Sequence, residues 1–170
     1  MPLLPKFEKL DVHYPTTSDY KRVLREINPA LENEPAFQNT CAMRISMALN
    51  ACPGHEIPRK EGLLTVRGVD RKRYAVRVKE LKNYLKFRYS LPYRTLAATT
   101  QGVINNASIK GLKGIVAFDV TGWGDASGHF TLWDGEELLY SGGHDYFNLY
   151  DKFDNGKVIK VSKCSFWKCP

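Results

Sequence analysis

Asn39-Thr40-Cys41-Ala42-Met43-Arg44-Ile45-Ser46 and Ser127-Gly128-His129-Phe130-Thr131-Leu132-Trp133-Asp134 are the stretches whose reading decides the fold. Asn39 and Thr40 are good helix N-caps, so Cys41 falls at about the first helical position. The helix they open reaches to about residue 52, where Pro53-Gly54 stops it. Cys41, Ile45, Ala48, Leu49 and Cys52 recur at the spacing of one buried helical face. The second stretch has strand character, and Asp134-Gly135 follows it as a hairpin signal. A cysteine at a helix start and a histidine on a strand are the parts of a nucleophile and its base.

Working outward, the N-terminal half reads as helical and the C-terminal half as β-rich. Ser18 caps a helix over residues 18–27, which Asn28-Pro29 ends, and 33–37 is a loop. Short strands are expected over 63–66 and 74–76. A third helix covers 78–89, with Val78, Leu81, Leu85 and Tyr89 on its apolar face. A weaker helix is expected over 99–106. Beyond Gly111 the period changes to that of strands, over 115–120, 129–133, 138–141, 146–150 and 158–161. Thr121-Gly122-Trp123-Gly124-Asp125-Ala126-Ser127-Gly128 is a glycine-rich loop. Helices first and an antiparallel sheet later predict one α+β domain over residues 1–170.

The chemistry follows from position. A thiol becomes a good nucleophile on ionising, and a helix N-terminus favours the thiolate through its partial positive charge and free N–H groups. An adjacent imidazole takes the proton. The Cys41 N–H is then placed to meet a developing oxyanion. Gly128 would leave room for a substrate backbone beside His129. Taken alone, Cys41 also fits a small buried hydrophobe and His129 a satisfied core residue.

A third group normally orients the imidazole. Side chains at even offsets share a strand face, so Thr131 and Trp133 point with His129, and Asp134 points away. A tight turn at Asp134-Gly135 places Tyr140 roughly opposite His129. Asp145 is the favoured acidic partner, with Asp125 in reserve. Metal ligation by His129, His144 and Asp145 lacks zinc-type spacing, so neither metal nor cofactor is expected. Trp123 and Trp133 are candidates to line a groove.

The 170 residues and a hydrophobic fraction of 43% suit one folded domain with a substantial core. The longest apolar runs, such as Gly114-Ile115-Val116-Ala117-Phe118, are too short to cross a bilayer. Met1-Pro2-Leu3-Leu4-Pro5-Lys6 lacks the charged start and apolar run of a secretory signal. Action outside the producing cell would therefore need a signal-independent export machine. The net charge of +7 favours an anionic partner, such as a cell-wall polymer, a membrane surface or nucleic acid, though no nucleic-acid motif is present. Of the four cysteines, Cys164 and Cys169 are candidates for a small terminal disulfide, and free thiols are the alternative.

Residues 39–50 resemble the cysteine motif of the type VI secretion amidase effectors, specifically the fourth of those families. The resemblance continues through Gly68-Val69-Asp70, 74–85 and 114–119. It is strongest at Gly122-Trp123 and at Gly128-His129-Phe130-Thr131-Leu132-Trp133-Asp134-Gly135. It implies a papain-like, NlpC-type hydrolase injected into a competitor's periplasm to cut peptidoglycan stems between D-glutamate and meso-diaminopimelate. It also implies a cognate immunity protein as partner. Cys41 matches the family nucleophile and His129 the family base. The family carries an aspartate near the place of Tyr140, so Asp145 serves only if the intervening turn is longer. The family's paired cysteines in that region are absent here. Two further readings stay open: a papain-like protease or deamidase acting on proteins, and a non-catalytic basic module for anionic glycan or nucleic acid.

Overall fold

The stripe read on the second helix predicts burial on one side, and the structure buries nearly all of it. A computed structural model describes residues 1–124 and 127–170. Helix α1 spans Phe7–Asp11, α2 Tyr20–Ile27 and α3 Cys41–Asn50. Every α3 residue except Met47 is buried. Its buried Ser46 and Asn50 are therefore matched with backbone. Ser46 Oγ donates to the Ala42 carbonyl and accepts from the Ala75 N–H. Asn50 donates to the Arg73 carbonyl and accepts from the Ile57 N–H. Asp19, not Ser18, caps α2, accepting from the Arg22 N–H at 3.2 Å.

Strands β1 (Thr65–Arg67) and β2 (Arg73–Ala75) form a small antiparallel hairpin. Helix α4 (Val78–Tyr89) has the predicted bounds and apolar face. Lys82, on that helix, is nearly buried. Its Nζ lies 2.6 Å from an Asp119 carboxylate oxygen, which answers the cost of burying the charge.

The main sheet contains β3 (Arg94–Ala97), β4 (Gly114–Thr121), β5 (Gly128–Trp133), β6 (Tyr150–Lys152) and β7 (Val158–Lys168). Its order is β3-β7-β4-β5, with β6 also paired to β7, and every pairing is antiparallel. Alternation along the strands gives two faces. Ile115, Ala117, Phe130, Leu132 and Trp167 pack with α1, α3 and α4. Val116, Phe118, Trp133 and Phe166 pack under 104–109 and 146–149. The domain is α+β, with helices on an antiparallel sheet.

Several expected elements differ. Residues 99–106 are not helical. Gly102 has φ +71°, and a Cβ there would lie 2.0 Å from the Leu149 carbonyl oxygen, so tertiary packing fixes an open turn. Residues 138–141 flank the free edge of β5 without forming a strand. Leu139 N–H reaches the Leu132 carbonyl, but Tyr140 N–H goes to the Thr131 hydroxyl. Of the strand expected over 146–150, residues 146–147 form a turn, Asn148 makes an isolated bridge to Val103, and only Tyr150 lies in β6. Strand β3 and helix α1 had no distinct sequence signal. Cys164 and Cys169 are free and buried on opposite sides of the sheet, one in each core. Five residues apart along a strand, they are about 16 Å apart by strand rise alone, too far to bridge.

Candidate active site

Helix α3 begins at Cys41, so the thiol sits at a helix N-terminus. Thr40, the N-cap residue, makes no side-chain capping bond. Asn39 Oδ1 accepts from the Cys41 N–H at 3.2 Å, while the Thr40 hydroxyl accepts from Arg44 Nε at 3.0 Å. The Cys41 N–H is thus engaged by Asn39, not open to an oxyanion as the sequence suggested. Cys41 is 1% exposed, and burial pushes its thiol up to about 11. Backbone amides of Phe130, Ala42 and Cys41, together with the Arg44 charge, act in the opposite direction and favour the thiolate.

Strand β5 carries His129, and its neighbour Phe130 supplies one of those amides. The two sequence blocks therefore meet at the sulfur. His129 Nε2 lies 2.8 Å from the Tyr140 carbonyl oxygen. A carbonyl only accepts, so Nε2 carries the hydrogen and Nδ1 keeps a lone pair in the neutral ring. The imidazole stacks on Tyr146, with centroids 4.3 Å apart and planes 2° from parallel. Burial drives the imidazole down to about 4, against the opposing Tyr140 hydrogen bond; the Arg44 and His144 charges push it further down. Gly142 closes over the ring edge. It has φ +62°, and a Cβ there would lie 3.2 Å from His129 Cε1.

A cleft of about 300 Å³ opens beside His129, lined by Asn39, Thr40, Trp123, His129, Tyr140 and Tyr146, among others. A second groove of about 600 Å³ shares Asn39 and Trp123 with it and continues past Phe37, Leu64, Arg77 and Lys79. Trp123 thus lines the groove, as the sequence allowed. Trp133 instead packs in the core, with Nε1 donating to the Ile109 carbonyl.

A family model for the type VI secretion system (T6SS) amidase effector protein 4, Tae4, matches residues 37–167. The chain belongs to the Tae4 family. Among solved structures, Tae4 from Enterobacter cloacae in its effector–immunity complex with Tai4 is 26% identical. It superposes with a TM-score of 0.78 over 98% of this chain and 99% of that one. Tae4 from Salmonella typhimurium, in complex with the immunity protein Tai4 from Enterobacter cloacae, is 27% identical. Its TM-score is 0.75, with the same coverage of both chains. No curated protein sequence matches the chain.

Within this Tae4 family member, the backbone amide of Phe130, next to His129, reaches Cys41, and Asp145 is occupied elsewhere. The Asp145 carboxylate accepts from the Phe147 N–H and from Asn148 Nδ2, both at 3.0 Å, and so fixes a turn. The Tyr140 backbone takes the place at His129 Nε2. Asp125 lies outside the described residues. Gly128 does not serve the substrate. A Cβ there would meet the Phe118 carbonyl oxygen at 1.9 Å, so the glycine permits close pairing of β4 and β5. Among the described residues, no group of three or more His, Cys, Asp or Glu is arranged to hold a metal.

Sequence reasoning missed Tyr146, Gly142 and the Tyr140 carbonyl. Backbone acceptors leave no side-chain signature. Glycine and tyrosine between two strands read as ordinary turn and core residues.

Proposed function

We propose that this Tae4 family member is an antibacterial amidase that hydrolyses the D-glutamate–meso-diaminopimelate bond of peptidoglycan stem peptides. The observation that carries the reading is the 2.8 Å contact of His129 Nε2 with the Tyr140 carbonyl oxygen. Nε2–H is held by the Tyr140 carbonyl, which leaves the Nδ1 lone pair as the base for a thiol at a helix N-terminus. Burial disfavours an isolated thiolate and an isolated imidazolium, but proton transfer within the pair leaves the net charge unchanged.

In this reading Cys41 Sγ attacks the amide carbonyl carbon as His129 Nδ1 takes its proton. The tetrahedral oxyanion lies near the α3 N-terminus, where the carbonyl displaces Asn39 from the Cys41 N–H. Collapse breaks the C–N bond, and Nδ1–H gives its proton to the leaving amine of diaminopimelate. Water, deprotonated by Nδ1, then hydrolyses the thioester. The Tyr140 carbonyl, rather than Asp145, holds the ring through both steps.

The stem extends into the groove past Trp123, where Lys79 suits its carboxylates and Arg77 is paired with Glu80. The solved relatives seated on Tai4 support a cognate immunity protein for this chain too. Delivery by the type VI apparatus into a target periplasm places the enzyme beside its substrate. Incubation of purified sacculi with wild type and with Cys41→Ala, followed by mass spectrometry of the soluble fragments, tests the reaction. Fragments cut at the named bond and seen with wild type alone are expected. Equal cleavage by Cys41→Ala would remove Cys41 from the mechanism. Intact sacculi together with cleaved or deamidated protein substrates would favour the protease or deamidase reading.

A further inference from the structure

Arg44 lies one helical turn beyond Cys41 and is fully buried, with 0% exposure. A guanidinium in such a place normally meets a carboxylate, because desolvating the charge is costly. Among the described residues, no ion pair reaches Arg44. Its donors go to neutral oxygens: Nε to Thr40 Oγ1, and Nη1 to the carbonyls of Pro15 and Thr17. Nη2 is buried with no hydrogen-bond partner among the described residues. The guanidinium lies over the Tyr140 ring, with its carbon 3.7 Å from the centroid.

Three segments therefore converge on one side chain. Thr40 precedes the nucleophile. Pro15 and Thr17 close the chain over α3. Tyr140 presents the carbonyl that holds His129. We propose that Arg44 is a positioning residue of the active site: its stack on Tyr140 fixes the carbonyl that orients His129, and its buried charge favours the Cys41 thiolate. The proposal rests on the reading of Cys41 and His129 as the reacting pair.

The surroundings support an electrostatic role. The groups facing Cys41 are Arg44 from its own helix, Tyr14 from the N-terminal segment and Tyr146 from the segment beyond β5. Those around His129 are Arg44, Tyr140, His144 and Tyr146. Burial holds the Tyr14 and Tyr146 phenols above their ordinary range, so both are neutral at working pH. Arg44 remains charged despite the downward pull of burial, since arginine is not deprotonated in proteins. Its field stabilises a thiolate and opposes an imidazolium, so it biases the pair towards a neutral base and an ionisable thiol.

The test uses the intact protein and the pH dependence of Cys41 alkylation by iodoacetamide, followed by peptide mass spectrometry so that other thiols do not contribute. This readout needs no peptidoglycan. Arg44→Met removes the charge at similar length, and Arg44→Lys keeps the charge but loses the planar stack. In Arg44→Met the alkylation midpoint should rise by about one pH unit, and kcat on sacculi should fall about tenfold or more. In Arg44→Lys the midpoint should stay near wild type while kcat falls about fivefold or more with little change in KM. Wild-type midpoints in both variants, with kcat tracking the folded fraction, would overturn the proposal. If Arg44→Met does not fold, Arg44→Lys decides alone: wild-type kcat in its folded form overturns the proposal. Loss of cleavage by Cys41→Ala with unchanged Arg44 profiles would overturn this inference while leaving the amidase reading intact.

Discussion

The imidazole of His129 lies flat on the phenol of Tyr146, with centroids 4.3 Å apart and planes 2° from parallel. The Tyr140 carbonyl fixes one ring nitrogen, and the stack fixes the ring plane. Together they remove the rotational freedom that a base must otherwise lose in the transition state. Tyr146→Phe keeps the stack, and its kcat should stay within about threefold of wild type. Tyr146→Leu loses it, and kcat should fall by about fivefold, since an aromatic pair contributes about 1 kcal/mol beyond its burial. Steady-state kinetics on a stem peptide check both. Equal rates for the two variants would mean that the ring plane is set elsewhere.

Gly142 tests the same ring from its edge. Alanine there faces both a positive φ and a 3.2 Å approach to His129 Cε1. The backbone strain should cost about 1 kcal/mol of stability. Displacement of the ring should lower kcat by more than that loss explains, about tenfold or more. Denaturant unfolding beside kinetics separates the two effects. Activity that merely follows stability would show that the ring does not move.

Acid should destabilise the protein through His129. The folded imidazole is held down near 4, against 6.5 for the ordinary group. Between those values the unfolded chain binds a proton that the folded chain does not, so stability falls as pH drops through this window. The contribution is about 3 kcal/mol when complete. His129→Gln cannot take up that proton. Its stability should decline less than wild type from pH 7 to pH 4, by about 2–3 kcal/mol in urea titrations. Parallel declines would place the imidazole's folded value near its ordinary one.

Asn39 occupies the Cys41 N–H in the resting site. Asn39→Asp keeps the shape but adds an anion where both the thiolate and the oxyanion develop. It should hold the N–H more tightly and lower kcat/KM by about tenfold to a hundredfold at neutral pH. Protonating the new carboxyl should recover part of the rate at acid pH. A wild-type rate throughout would place the oxyanion away from this amide.

Lys79 is exposed along the groove that leaves the cleft beside Trp123. If the acidic stem runs there, Lys79→Glu should raise KM about threefold to tenfold with kcat unchanged, and added salt should shrink the difference. No change in KM would direct the stem along another wall.

Much was legible because it depends on local spacing. The α4 bounds, Val78–Tyr89, follow from the apolar recurrence and the Leu91-Pro92 stop. The start of α3 at Cys41 follows from Asn39 and Thr40 before a buried stripe. The strand at His129 follows from alternation before a turn. Where the reading failed, long-range contact outweighed local preference. Residues 99–106 have tolerable helix residues, but Gly102 is pinned against Leu149 across the fold. Asp145 is an acid at a plausible distance in sequence, but its oxygens are taken by Phe147 and Asn148.

By itself the sequence determined an α+β chain with a cysteine at a helix N-terminus and a histidine on a strand, because capping and periodicity are properties of neighbouring residues. The tertiary structure decided what surrounds them: a backbone carbonyl on His129, a tyrosine beneath its ring, and a buried arginine that no carboxylate among the described residues meets. Those relations join residues from the N-terminal segment, α3, β5 and the 140–146 turn, and no local pattern encodes a meeting set by packing across the sheet.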